Sequence, residues 1–205
     1  MSAQGQGALA ADGRPWDAAE RTREALALWA GAFATERFVV LAVPEGGDGP
    51  VMLRRLDAQG LVAATGWLRA VNGRGHHLYG RPLTSRLILV NDLRQDGVLR
   101  LGAEQAVRAV VETSPHSFQA WVEAAPPGAP EPGPAELAAL ARALAVAYEA
   151  DVAGARVGRF GRLPGLLNRH GRHLRSDGRR PVALLRWVPA EIRAAHAAEE
   201  ARHGW

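Results

Sequence analysis

Three groups of residues in this chain have the type and spacing to do chemistry. Asn91 and Asp92 close an apolar run, Leu87 to Val90, and set an amide and a carboxylate where a buried strand leaves the core. Sheet proteins commonly present catalytic or metal-binding groups at such a point. Asn-Asp is equally ordinary turn chemistry, and the pair alone suits either use. A second acidic pair, Glu149 and Asp151, follows an alanine-rich helical stretch. The third group is basic: between residues 156 and 180 eight arginines (156, 159, 162, 169, 172, 175, 179 and 180) face one acid, Asp177. Guanidinium groups bind phosphate oxygens in a bidentate way, so this glycine-punctuated segment suggests nucleotide or nucleic acid, although a solvated arginine-rich loop has the same composition. Arg81, in the turn Gly80-Arg81-Pro82, is a further candidate phosphate ligand. His76 and His77 project to opposite faces of an extended chain and are poorly placed to chelate one ion. His116 and the His170/His173 pair read as solvent or phosphate neighbours, because Gly171 should break the helix that a three-residue chelating spacing needs.

These groups must be held by a folded core, and the composition provides for one. The chain has 205 residues, 47% of them apolar, enough for one large domain or two small ones. All 25 basic residues are arginine and the formal charge is only +4, so composition alone does not demand a polyanion. The lack of cysteine excludes disulfides, thiol catalysis and thiolate zinc sites. No apolar run approaches the roughly eighteen residues of a membrane span and the N-terminus lacks a charged start before an apolar block, so the expectation is a cytoplasmic protein with no membrane partner.

In chain order, residues 1–15 have little to bury and read as a disordered tail. A helical stripe from Asp17, the expected N-cap, to about Phe33 precedes a hairpin of 37–43 and 51–55 around the turn EGGDGP. Asp57 should cap a helix that carries Leu61, Val62, Trp67 and Leu68 to Asn72-Gly73, before a short strand at 76–79. The run Leu87 to Val90 reads as a strand buried on both faces and therefore central in its sheet. A second hairpin is expected from 106–112 and 117–122, with Phe118, Ala120 and Val122 on one face and Ser117, Gln119 and Trp121 on the other. Trp121 reads as core rather than as a base-stacking platform. A proline-rich linker, 126–134, leads to a helix over 135–148, then the basic segment, a strand at 181–188 and a helix from Pro189. The sum is an α+β fold.

Three blocks of this sequence resemble the RepB-type primases of mobilisable plasmids, a branch of the archaeo-eukaryotic primase superfamily: LILVNDL at 87–93, VVETSPHSFQAWV at 110–122, and YEAD at 148–151 followed by GRFGRLPGLLNR at 158–169. The resemblance spans about residues 17 to 187. It implies a primase-like fold with a mixed, mostly antiparallel sheet and flanking helices, a catalytic domain over 16–188 and a C-terminal helix over 189–205. It also implies Mg2+ or Mn2+ held by carboxylates at Asp92 and Asp151, with Asn91 standing where the family has a second aspartate. Ser117 and Gln119 fall on the superfamily's small-any-histidine pattern. Nucleotide or DNA contacts are implied at Arg159, Arg162, Asn168 and Arg169, with Thr113 and Ser114 nearby.

The activity implied is primer synthesis from nucleoside triphosphates on a single-stranded DNA template for plasmid replication. A 3′-hydroxyl attacks the α-phosphate while metal ions stabilise the entering and departing oxygens. Asn91 keeps an alternative open: a primase-fold protein with impaired catalysis that binds single-stranded DNA or nucleotide in a replication or mobilisation complex. Family members continue into a helical bundle that helps recognise the initiation site, whereas here one helix follows. That helix either packs on the core or docks a replicative helicase or another plasmid replication protein.

Overall fold

The computed structural model describes residues 17–203 apart from 34, 36, 85, 127 and 175. The proposed tail at 1–15 lies outside the described residues. Helix α1 (Ala18–Gly31) starts on Asp17, whose carboxylate accepts the Ala19 N–H at 2.8 Å while Glu20 reaches back to the Asp17 N–H at 3.1 Å. This capping box satisfies donors that the first helical turn leaves without partners. Strands β1 (Arg37–Pro44) and β2 (Met52–Asp57) form the first hairpin.

The helix expected after Asp57 is two: α2 (Ala58–Ala63), capped by the Asp57 carboxylate on the Gly60 N–H, and α3 (Thr65–Gly73). They part at Ala64, where the Thr65 hydroxyl donates to the Val62 carbonyl at 2.6 Å and competes with the helical backbone bonds. Strands β3 (His76–Pro82) and β4 (Leu87–Leu93), helix α4 (Gln95–Glu104), the hairpin β5 (Val107–Ser114) and β6 (Ser117–Glu123), and helix α5 (Pro134–Ala147) follow. The basic segment holds the two-residue strand β7 (Gly161–Arg162) and a 3-10 turn at Gly171–His173, before β8 (Leu184–Trp187) and α6 (Ala190–His203). The strand expected over 181–188 is thus shorter, with an isolated bridge from Leu167 to Val182 ahead of it.

The described residues form two four-stranded sheets rather than one, and every pairing is antiparallel: β2-β1-β3-β7 and β4-β6-β5-β8. The second sheet lies between two apolar clusters. On one face Leu89, Ala109, Val111 and Trp121 meet Leu26 and Trp29 of α1 and Phe38, Val40 and Leu78 of the first sheet. On the other, Ile88, Val90, Ala120 and Val122 meet Leu101 of α4 and Leu137, Ala141 and Leu144 of α5. Strand β4 is therefore buried on both faces as its composition requires, yet it is an edge strand and not a central one. Side-chain pattern reports the two faces of a strand and carries no information about its hydrogen-bonding edges, which is why the central placement fails. Trp121 is 2% exposed and meets Trp29 and Phe33 edge-on, so it belongs to the core.

Candidate active site where the two sheets meet

The edge of β4 that is unpaired among the described residues is where Asn91 and Asp92 meet the Asp151 segment, while Glu149 is exposed and pairs with Arg100. Its pairing to β6 is regular to Val90, breaks, and resumes at Leu93. In the break Asp92 takes a φ of 56°, a left-handed conformation uncommon in residues other than glycine, Asn and Asp and found disproportionately at functional sites. The carbonyl of Asn91 accepts the Asp151 N–H at 2.9 Å. One hydrogen bond thus ties the segment after α5 to the end of β4, so residues sixty positions apart lie on neighbouring backbones.

The two carboxylates have different surroundings. Asp92 is half exposed; its Oδ1 accepts the Ser117 hydroxyl at 3.3 Å and lies 3.8 Å from the Arg172 guanidinium. Asp151 has both oxygens engaged: Oδ1 accepts the Gly154 N–H at 2.8 Å and Oδ2 accepts Arg159 at 3.1 Å. The Gly154 N–H, with help from Arg159 and against the effect of burial, holds the Asp151 carboxyl below the usual carboxylate range. Arg159 also bonds the Gly154 carbonyl. A Cβ on Gly154 would lie 1.6 Å from the Arg159 guanidinium, so a larger residue there would displace the clasp.

The remaining residues singled out in the sequence divide into those that build the site and those that line it. Gln119, 2% exposed, donates from Nε2 to the Arg162 carbonyl at 2.7 Å and accepts the Arg162 N–H on Oε1 at 2.9 Å. This amide clasp joins β6 to β7 across the two sheets. Asn168, 1% exposed, donates to the Thr113 carbonyl at 2.7 Å and accepts the His170 N–H, which fixes the basic segment to the end of β5. The Thr113 hydroxyl lies 3.4 Å from that of Ser117, and Ser114 is buried. Arg169 is committed to the frame, with Nε on Glu45 at 3.1 Å and a second donor on the Asn72 carbonyl. Arg180 bonds the same Glu45; burial would raise that carboxyl, but the two guanidinium groups hold it low.

Arg162 faces inward and has no acid partner among the described residues. Its guanidinium carbon lies 5.1 Å from the centroid of the Tyr79 ring, and NH1 is buried with no hydrogen-bond partner among the described residues. Burial lowers its pKa, which reflects an uncompensated desolvation cost that an incoming anion would offset.

Arg172, marked in the sequence only as one of eight basic residues, reaches Asp92. Two residues without a role in the sequence lie beside the other arginines: Tyr79 underlies Arg162, and Glu45 pairs Arg169 and Arg180. The rings of His77 and His170 lie 6.3 Å apart and those of His170 and His173 5.9 Å apart. His77 and His173 are shifted down, by burial first and then by neighbouring guanidiniums (Arg162 for His77, Arg172 for His173), which favours the neutral imidazole in both. Only the alternation of His77 and Tyr79 on β3 could have signalled this face from the sequence.

The donor set decides what the site could hold. Among the described residues no group of three or more His, Asp or Glu side chains is arranged to hold an ion. The described residues therefore form no all-protein metal cage. Magnesium, however, is usually bound through one or two carboxylates together with water and substrate phosphates, and Asp92 and Asp151 on adjoining segments fit that habit. The arrangement is two carboxylates beside a set of guanidinium groups, suited to a polyphosphate carrying its own divalent cation.

Comparison with known proteins agrees with the fold and narrows the family. The family model for the RepB DNA-primase N-terminal domain matches residues 63–201. Mobilization protein A of Escherichia coli is 36% identical over 174 residues, which cover 82% of this chain and 23% of that protein. The crystal structure of primase RepB′ matches with a TM-score of 0.71 at 32% identity, over 90% of this chain and 65% of that one. The catalytic domain of primase RepB′ in complex with initiator DNA matches with a TM-score of 0.68 at 33% identity, over 89% of this chain and 98% of that one. The chain thus spans under a quarter of the mobilization protein and about two-thirds of the longer RepB′ chain.

Proposed function

The chain belongs to the RepB DNA-primase N-terminal domain family, and from that premise we propose that it is a nucleotidyltransferase that synthesises primers on single-stranded DNA for plasmid replication. The observation that carries the reading is the Asp151 N–H on the Asn91 carbonyl, which sets two acidic segments side by side, with Arg172 against Asp92 and Arg159 against Asp151. Asp92 and Asp151, with the neutral oxygen of Asn91, would hold Mg2+ or Mn2+ together with the phosphates of a nucleoside triphosphate. The metal supplies charge neutralisation at the entering and leaving oxygens.

The chain's own residues do the rest. Arg162, lacking an acid and held in place by Gln119, receives a phosphate oxygen. Arg172, held only by an exposed pair with Asp92, would be free to turn to the triphosphate if Asp92 held a metal. A 3′-hydroxyl then forms a bond to the α-phosphorus as the bond to pyrophosphate breaks, the hydroxyl proton passes to water, and the guanidinium groups retain the departing pyrophosphate.

A second reading has its own support. Both oxygens of Asp151 are already occupied by Gly154 and Arg159, and Asn91 lacks the charge of an aspartate. A binder of single-stranded DNA or nucleotide with impaired catalysis would have these features. The test is incubation with single-stranded DNA, labelled nucleotides and Mg2+ or Mn2+, beside Asp92→Ala and Asp151→Ala. Extension or dinucleotide formation that disappears in both variants supports the enzyme; DNA binding with no synthesis under either metal supports the binder.

A further inference from the structure

The pairing register of the first sheet sorts its residues into two faces, because cross-strand partners point the same way. Phe38, Val40, Ala42 and Leu78 point into the core. On the opposite face Val39 pairs with both Arg55 and Arg81, Leu41 with Leu53 and Tyr79, and Tyr79 with Arg162. Leu53 is 56% exposed, Arg37 and Arg55 are exposed, and Leu41, Tyr79 and Arg81 are half-buried. A strand rises about 3.3 Å per residue, so the face measures roughly 20 Å from Arg37 to Val43.

One end of this face opens into a groove of about 720 Å³ whose lining includes Arg37, Arg55, Arg81 and Thr84. The acid in the groove, Asp57, turns its carboxylate to the Gly60 N–H at 2.6 Å. No ion pair engages the three guanidinium groups among the described residues. Toward the candidate active site, Gly158 at a φ of 78° packs on Arg81, where a Cβ would come within 3.0 Å of the guanidinium. That loop continues to Arg159 and its partner Asp151. At the other end His77 lies beside His170, whose turn carries Arg172 on Asp92. The cationic row therefore leads into the site instead of standing apart from it.

A row of arginines with no ion pair among the described residues, beside an exposed leucine and a half-buried leucine and tyrosine, is the kind of surface that binds an unpaired nucleic acid strand: cations track the backbone while bases lie on apolar and aromatic platforms. We infer that single-stranded DNA lies across β1, β2 and β3, with phosphates on Arg37, Arg55 and Arg81 and bases over Leu53, Leu41 and Tyr79. The inference deepens the primase reading, which it needs only to identify the strand as template.

The test measures binding without catalysis. A fluorescein-labelled oligothymidine is titrated by anisotropy in EDTA at several salt concentrations, against the unaltered chain, Arg37→Gln/Arg55→Gln, and a control pair of exposed arginines on other elements, Arg23→Gln/Arg142→Gln. Each phosphate contact on a single strand contributes about 0.7 to the slope of log K against log salt, so the first variant should lose about 1.4 and, with those contacts contributing nothing at 1 M, bind roughly 25-fold more weakly than the unaltered chain at 0.1 M. The control pair should keep its slope. An iodouracil oligonucleotide should crosslink within residues 37–82.

An unchanged slope in Arg37→Gln/Arg55→Gln, no binding by the unaltered chain, or crosslinks confined to other segments would overturn the inference. An unchanged slope would leave the face to another occupant, such as an acidic protein surface. Primer synthesis with an unchanged slope overturns this surface alone, whereas the expected slope loss without synthesis overturns the enzyme and leaves the surface standing.

Discussion

Replacing Gln119 by leucine removes both halves of the clasp that fixes Arg162 while nearly preserving side-chain volume. The Arg162 N–H and carbonyl, bonded at 2.9 and 2.7 Å, would be left in a buried place with no partner. A buried polar group stripped of its partner costs about 1–3 kcal/mol, so two of them give an expected loss of about 3 kcal/mol once the strand relaxes. With urea m-values of about 2–3 kcal/mol/M, the unfolding midpoint should fall by about 1–1.5 M. The same change frees β7 from β6, so Arg162 no longer has a fixed position over Tyr79 and affinity for a fluorescent nucleoside triphosphate should fall as well. Urea melts followed by tryptophan fluorescence and a nucleotide titration of the folded variant read the two effects separately. A midpoint shift under about 0.3 M with undiminished nucleotide affinity would refute the idea that Gln119 registers the inward-facing arginine.

Four other outcomes follow from the same geometry. Gly80→Ala puts a Cβ 2.4 Å from Leu163 and 3.2 Å from Trp29, so overpacking of about 1–3 kcal/mol should appear as a lower thermal midpoint. Arg172→Ala breaks an exposed pair with Asp92, so stability should change by less than about 0.5 kcal/mol while the nucleotide KM rises, a split that steady-state assays beside urea melts would detect. Asn91→Asp should lower the Mg2+ concentration for half-maximal synthesis, and an unchanged value counts against a metal at that edge. Asp151 and Glu45 both have carboxyls held below their ordinary values of 3.8 and 4.5, so their contributions are complete above those values and vanish as pH falls through the lower folded ones. The stability gap between the unaltered chain and Asp151→Asn or Glu45→Gln should accordingly narrow below about pH 4 in urea melts; a gap that widens there has the wrong sign.

Local patterns in this chain were legible because they depend on neighbours in sequence. The Asp17 and Asp57 caps, both hairpins, and the division of β6 into Phe118-Ala120-Val122 and Gln119-Trp121 faces all come from spacing within a few residues. What sequence could not display were edges and long-range partners. The apolar run at 87–90 revealed two buried faces but not the free edge at Asn91, which is where the Asp151 segment attaches. Arginine type marked 156–180 as basic but did not separate Arg169, spent on Glu45, from Arg162, which faces inward without an acid. That difference is set by contacts more than eighty residues away, with Tyr79 and Glu45. Gly171 was read as a helix breaker, and the 3-10 turn that it opens instead brings His170 and His173 together.

Primer synthesis at this site would require a divalent ion shared by the end of β4 and the segment after α5. Fe2+ with ascorbate and peroxide, added in the presence of a nucleoside triphosphate, cuts backbone close to where the ion sits. Cleavage should cluster at two places, near residues 91–92 and near 151, fade with added Mg2+, and disappear from both in Asp92→Ala. Cuts at one of these places only, or cuts at both that persist in Asp92→Ala, would contradict a single metal-bearing pocket.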